Sequence, residues 1–209
     1  MLNPIIIALA FALYWLNRER RKNFREKTRG KTLYNLYRVA RNISFMLTAR
    51  GGTKITGNAE VLRKGGILYS FHFGVWELMP QILTRTGYRL GVITNRYGAD
   101  NENTLLRVFD RFLYNWRSRN GVNVFYKEDT PAIIKFIKGG GIFGILVDGN
   151  TLYAKYNKAE KLAKICGVPL VPFAVCREKD ASILQLNCDL NAVVKQRPFD
   201  YMWFYKSRH

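Results

Sequence analysis

Histidine and cysteine are scarce in this chain. His72 is the only histidine inside it, since the other is the last residue. With no HExxH and no Cys/His ligand set, the sequence offers nothing from which to build a zinc site, and no metal is expected. The three cysteines, Cys166, Cys176 and Cys188, form no CxxC and leave one over, so they read as buried reduced thiols in a reducing compartment. Acidic residues are few as well: 15 Asp+Glu against 34 Lys+Arg, a net charge of +19. Such an excess has to face something anionic, whether nucleic acid, a phospholipid or glycolipid surface, or an acidic protein. The hydrophobic share of 48% excludes wholesale disorder, and 209 residues suffice for a full core without disulfides. Nucleotide-binding glycine loops are also missing. Gly139-Gly140-Gly141 runs from helix to strand, the reverse of a phosphate loop, and Gly51-Gly52-Thr53-Lys54 follows a helix.

The N-terminal segment MLNPIIIALAFALYWL carries no charge from Ile5 to Leu16 and ends in the aromatic pair Tyr14-Trp15. It lacks the positive start and the small-residue cleavage site of a secretory signal. Sixteen helical residues reach about 24 Å against a hydrocarbon core of about 30 Å. The segment is therefore a tight or tilted span, an end that dips into one leaflet, or a buried core helix. From Asn17 to Arg41 follow ten Lys/Arg and only Glu19 and Glu26. A basic flank beside an apolar stretch places that flank, and the domain behind it, on the cytoplasmic side of a membrane. The expected division is an N-terminal membrane anchor over residues 1–17 and a single folded domain over 18–209.

Beyond the anchor, a helix is predicted from Lys31 to Arg50. Apolar runs of strand length follow at Gly66–Phe71, Leu90–Thr94, Val122–Tyr126, Ile142–Val147, Val168–Val175 and Ile183–Leu186. Helical patterns lie between them at about Val75–Arg85, Asn103–Ser118, Thr130–Lys138 and Tyr156–Cys166. Strands alternating with helices predict an α/β fold: a mostly parallel central sheet with flanking helices. His72 falls just after a buried strand, where open α/β sheets bind ligands, and Glu77 falls in the first turn of the next helix. An imidazole there can take a proton from a hydroxyl, with a carboxylate on its other nitrogen fixing the tautomer. A core histidine beside an ordinary helix-start glutamate is the plainer alternative.

The stretch His72-Phe73-Gly74-Val75-Trp76-Glu77 resembles the H-x4-D/E motif of the glycerolipid acyltransferases. More narrowly it is similar to the form found in the late acyltransferases of lipid A biosynthesis, the lauroyl and myristoyl transferases. Arg117 in Asn115-Trp116-Arg117-Ser118-Arg119, and Asp148 closing the run from Ile142, are similar to the family's arginine and strand-end aspartate. Ala163 with Cys166-Gly167-Val168-Pro169-Leu170-Val171-Pro172-Phe173, and Tyr201-Met202-Trp203 with Lys206 and Arg208, continue the likeness over essentially the whole chain. The resemblance implies a glycerolipid-acyltransferase-like enzyme at the cytoplasmic face of the inner membrane, in lipopolysaccharide assembly. It would move a fatty acyl chain from an acyl carrier protein thioester, or acyl-coenzyme A, to a hydroxyl of an anionic lipid A precursor, without a cofactor. His72 is then the general base and Glu77 its orienting partner, while Arg117, Asp148 or Arg119 contact substrate or hold the site. Val75 stands where the lipid A form has Asn, and the stretch from Gly149 to Lys161 is short. Acceptors of other kinds, phospholipid or glycolipid, therefore stay open, as does a non-catalytic basic protein that binds membrane or nucleic acid. Nucleic acid is not the expected partner, because it leaves the apolar end and the ordered motifs without a role.

Overall fold

The computed structural model describes residues 4–15, 29–48, 52–94, 104–148 and 156–204. The basic flank up to Thr28, the first half of the shortened 149–161 loop, and Lys206 and Arg208 lie outside the described residues. Among the described residues seven strands form one sheet: β1 (Thr53–Thr56), β2 (Gly66–Ser70), β3 (Leu90–Thr94), β4 (Asn123–Tyr126), β5 (Ile142–Leu146), β6 (Leu170–Glu178) and β7 (Ala181–Leu186). Their order across the sheet is β1-β7-β6-β2-β5-β3-β4. All pairings are parallel except β6 with β7, which run antiparallel. The helices are α1 (Pro4–Trp15), α2 (Arg29–Thr48), α3 (Met79–Thr84), α4 (Thr104–Arg117), α5 (Thr130–Lys138), α6 (Asn157–Cys166) and α7 (Leu190–Gln196). The expected α/β architecture, a mostly parallel sheet with flanking helices, is what the chain adopts.

The central strands read as near-continuous apolar runs because helices cover both faces. On one face Leu68 packs with Met46 of α2, Leu83 of α3 and Trp116 of α4. On the other, Ile67 and Phe143 pack with Ile133 and Ile137 of α5 and Ala163 of α6. A third cluster gathers at the carboxyl edge of the sheet, where Phe71, Phe73 and Ala174 meet Leu190 and Val194 of α7 and Tyr201. The three glycines at Gly139–Gly141 end α5 and turn into β5, with Gly140 at φ 82°.

Several elements differ from the sequence expectation. β1 and α7 arise where the sequence reading placed no element, and β6 and β7 extend beyond their apolar runs, closing as a hairpin over Lys179 and Asp180 with Glu178 opposite Ala181. The apolar N-terminal stretch forms α1, whose twelve residues span about 18 Å. Among the described residues no helix is long and apolar enough to cross a membrane. α1 packs against α2 and leaves Ile5, Ile7 and Phe11 exposed.

The turn after β2 depends on one glycine. Gly74 adopts φ 62°, and a Cβ there would lie 2.2 Å from the carbonyl oxygen of Val175. Its own N–H donates to the Asp200 carbonyl at 3.0 Å, while the next N–H, of Val75, donates to Val175 at 2.9 Å. Gly74→Ala must therefore break this turn. Denaturant unfolding should register a loss of about 2 kcal/mol or more; an unchanged midpoint would show that the turn tolerates a side chain.

Candidate active site

Strand register builds the site. In the β2–β5 pair Ser70 lies opposite Leu146. Both chains leave the sheet at the same edge, so the residues two further on, His72 and Asp148, come out side by side. Asp148 is wholly buried, and its two carboxylate oxygens are both used by His72. Oδ2 accepts from the His72 backbone N–H at 2.9 Å, and Oδ1 lies 2.7 Å from ring Nδ1. One carboxylate thus sets both the backbone and the ring of the histidine. It makes Nδ1 the protonated nitrogen of the neutral ring and leaves Nε2 with a free lone pair.

Aromatic rings hold the imidazole from two sides. Trp76 and Trp203 each meet it edge-on, with centroids 5.4 and 5.3 Å away. The segment carrying Trp203 is pinned to the His72 loop: Met202 N–H donates to the His72 carbonyl at 2.8 Å, and Phe73 bridges Tyr201. The side chain of His72 keeps 27% of its surface exposed, enough for a substrate proton to reach it.

Glu77 has a different partner from the one its spacing predicted. It is the middle residue of the short 3-10 turn Trp76–Leu78, and there it is gripped by Arg117, the last residue of α4. Arg117 Nε donates to Oε2 at 3.0 Å, its Nη2 bonds Oε1, and Nη1 donates to Thr94 Oγ1 at 2.6 Å. The carboxylate on the His72 ring is Asp148, where the sequence reading expected Glu77. Asp148 is bonded to His72 through both its oxygens, in keeping with a residue that holds the site. The Glu77–Arg117 pair ties α3's approach to the ends of β3 and α4. It also forms the polar wall of a small cavity of about 50 Å³, whose other walls include Trp76, Met79, Leu146 and Phe173. Arg119 sits in the exposed turn after α4 and takes no part in this arrangement.

Sequence reasoning passed over two contributors. Thr94, at the end of β3, had no motif to mark it. Trp203 belonged to a noted aromatic-basic ending, but only the fold brings it to His72. Among the described residues, no group of His, Cys, Asp and Glu could hold a metal ion. Compared with known proteins, the chain matches no family model and no curated sequence.

The thiols are not candidate nucleophiles. Burial pushes Cys166 and Cys176 upward, and it pushes Cys188 up to about 11. At pH 8 Cys188 should react with iodoacetamide at least about 100-fold more slowly than a free thiol. Peptide mapping after timed alkylation measures this, and labelling of Cys188 at the free-thiol rate would contradict the burial argument.

Proposed function

We propose that this protein is a membrane-associated acyltransferase in which His72 is the general base and Asp148 the residue that orients it. The observation that carries the reading is the wholly buried Asp148 carboxylate on Nδ1 of a partly exposed histidine at the carboxyl edge of a parallel sheet. An acceptor hydroxyl donates its proton to Nε2 while its oxygen attacks the thioester carbonyl of the donor. The tetrahedral intermediate then collapses, the carbon–sulfur bond breaks, and the imidazolium returns the proton to the departing thiolate. Asp148 stabilises the imidazolium while it exists and holds the ring in the tautomer the step needs. The thioester is already activated, so the step needs only the hydroxyl to be deprotonated.

The resemblance of His72–Glu77 and the ordered residues after it to the lipid A acyltransferases supplies the substrate class. The donor is an acyl carrier protein thioester or acyl-coenzyme A, and the acceptor an anionic glycolipid hydroxyl. A chain of net charge +19 favours both anionic partners. The exposed apolar residues of α1 favour attachment to the bilayer, at the cytoplasmic face of the inner membrane. The Glu77–Arg117 pair is the rim of the apolar cavity. In this reading Arg117 positions Glu77 and the turn that carries it, and faces the substrate from that wall.

The test is acyl transfer from a radiolabelled acyl carrier protein thioester to a lipid A precursor. His72→Ala should lose roughly 100- to 10,000-fold in rate, and Asp148→Asn should fall in the same range. The double variant should be no worse than His72→Ala alone, because the two residues act as one unit. Glu77→Gln, which does not touch the ring, should multiply its own loss onto Asp148→Asn. Full activity in His72→Ala would sink the mechanism. Losses of His72→Ala and Asp148→Asn that multiply would separate Asp148 from the base.

A further inference from the structure

Away from His72, two arginines are placed where arginines ordinarily are not left. Arg41 lies on α2, one turn before Phe45, and Arg177 lies near the end of β6. The Arg177 guanidinium stacks on the Phe45 ring, 4.6 Å from its centroid. Residues four apart on a helix are neighbours, so Arg41 lies one turn from the ring that Arg177 covers, near enough for its charge to act on Arg177. Both side chains are half-buried. Arg38, three residues before Arg41, adds a third guanidinium to the same face.

The acidic groups nearby do not neutralise this cluster. Asp200 is taken by Arg38, which holds it through Nε at 2.8 Å and Nη2 at 2.6 Å, and by Asn42 at 3.2 Å. Glu178 is exposed and faces Arg197, 3.5 Å away. Asp180, in the β6–β7 turn, forms no ion pair with Arg177 among the described residues. Arg177 spends one donor, Nε, on the Lys179 carbonyl at 2.9 Å. Burial first, and then the Arg41 charge, hold Arg177 below the ordinary arginine range against a weaker opposing pull from Asp180, whereas the bond to Asp200 raises Arg38 above it. Half-buried cations are ordinarily paired, and two that repel one another are stable only at a cost.

We infer that Arg41 and Arg177 form an anion site over Phe45 that takes a phosphate group, carried either by a lipid headgroup or by free phosphate. Two guanidinium groups present several N–H donors and two positive charges, a match for the oxygens and charge of a phosphate. Arg38, fixed by Asp200, does not compete for the ligand. The site uses neither His72 nor the Glu77–Arg117 pair, and so stands whether or not the chain transfers acyl groups.

Calorimetric titration of the full chain in neutral detergent tests it, with inorganic phosphate and dihexanoyl phosphatidic acid as probes and dihexanoyl phosphatidylcholine as the blank. Arg41→Gln and Arg177→Gln should each weaken phosphatidic acid binding about 10- to 100-fold. Lys158→Gln, which removes the same charge from exposed α6, should leave it unchanged. Binding of both phosphate probes supports a site for the group itself, and binding of phosphatidic acid alone supports a headgroup site. Failure of both probes to bind, or wild-type affinity in the doubly substituted chain, overturns the inference. Thermal unfolding provides the check on structure. Without phosphate, Arg41→Gln should melt at or above the wild-type temperature, because a repelling charge is gone, whereas a clear drop would make Arg41 a structural residue and also overturn the inference.

Discussion

One buried carboxylate governs the site. Asp148 is out of water, and an ionised group so placed is tolerated only when its oxygens are satisfied. Here a single residue, His72, satisfies both, once with its backbone and once with its ring. The arrangement is rigid because the imidazole cannot turn away without breaking its bond to Asp148. It also explains why the sheet matters to the site. The parallel pairing of β2 with β5 in this register is what delivers the two residues to one point.

The remainder of the architecture serves to keep that point closed. Residues 198–204 lie across the His72 loop, and α2 clamps them from outside. Asn35 of α2, fully buried, donates to the carbonyls of Phe199 and Tyr201, both at 2.9 Å, while Arg38 and Asn42 hold the Asp200 side chain. Polar groups in this seam make α2 specific in its placement, where an apolar seam could slide. The Trp203 ring reaches His72 only because this seam is in register.

Much of the fold was legible because its core strands are uninterrupted apolar runs between turn residues. β2, β3 and β5 fall within a residue of their sequence bounds for that reason, and α5 coincides with its pattern. β1 was not legible. Its four residues, Thr-Lys-Ile-Thr, contain one large apolar side chain, and it is a half-exposed edge strand held by β7. The β6–β7 hairpin was hidden because its turn places Lys179 at φ 52° with no glycine or asparagine in its sequence to announce it. α7 is short, and its cap, Asp189 accepting from Asn191 and Ala192, is a local signal easily lost among polar residues. At the site, His72 was legible from its position after a buried run. Its partner was not, because the spacing from His72 to Glu77 says nothing about which carboxylate the sheet register brings to the ring. Glu77 was instead claimed by Arg117, forty residues away in sequence.

The closing segment has a consequence for how the molecule comes into being. On a ribosome, α2 emerges early, yet its buried asparagines and Arg38 find their partners only at residues 199–201. Until those residues appear, α2 carries a polar seam with nothing to receive it, and the histidine loop lacks the strand-like cover that Tyr201 and Met202 provide. These contacts span more than 120 residues, and such long closures form late because the chain must lose its freedom before they reward it. The His72–Asp148 pair is thus among the last parts of the protein to take its final shape, and a nascent chain lacks it until its sheet is complete.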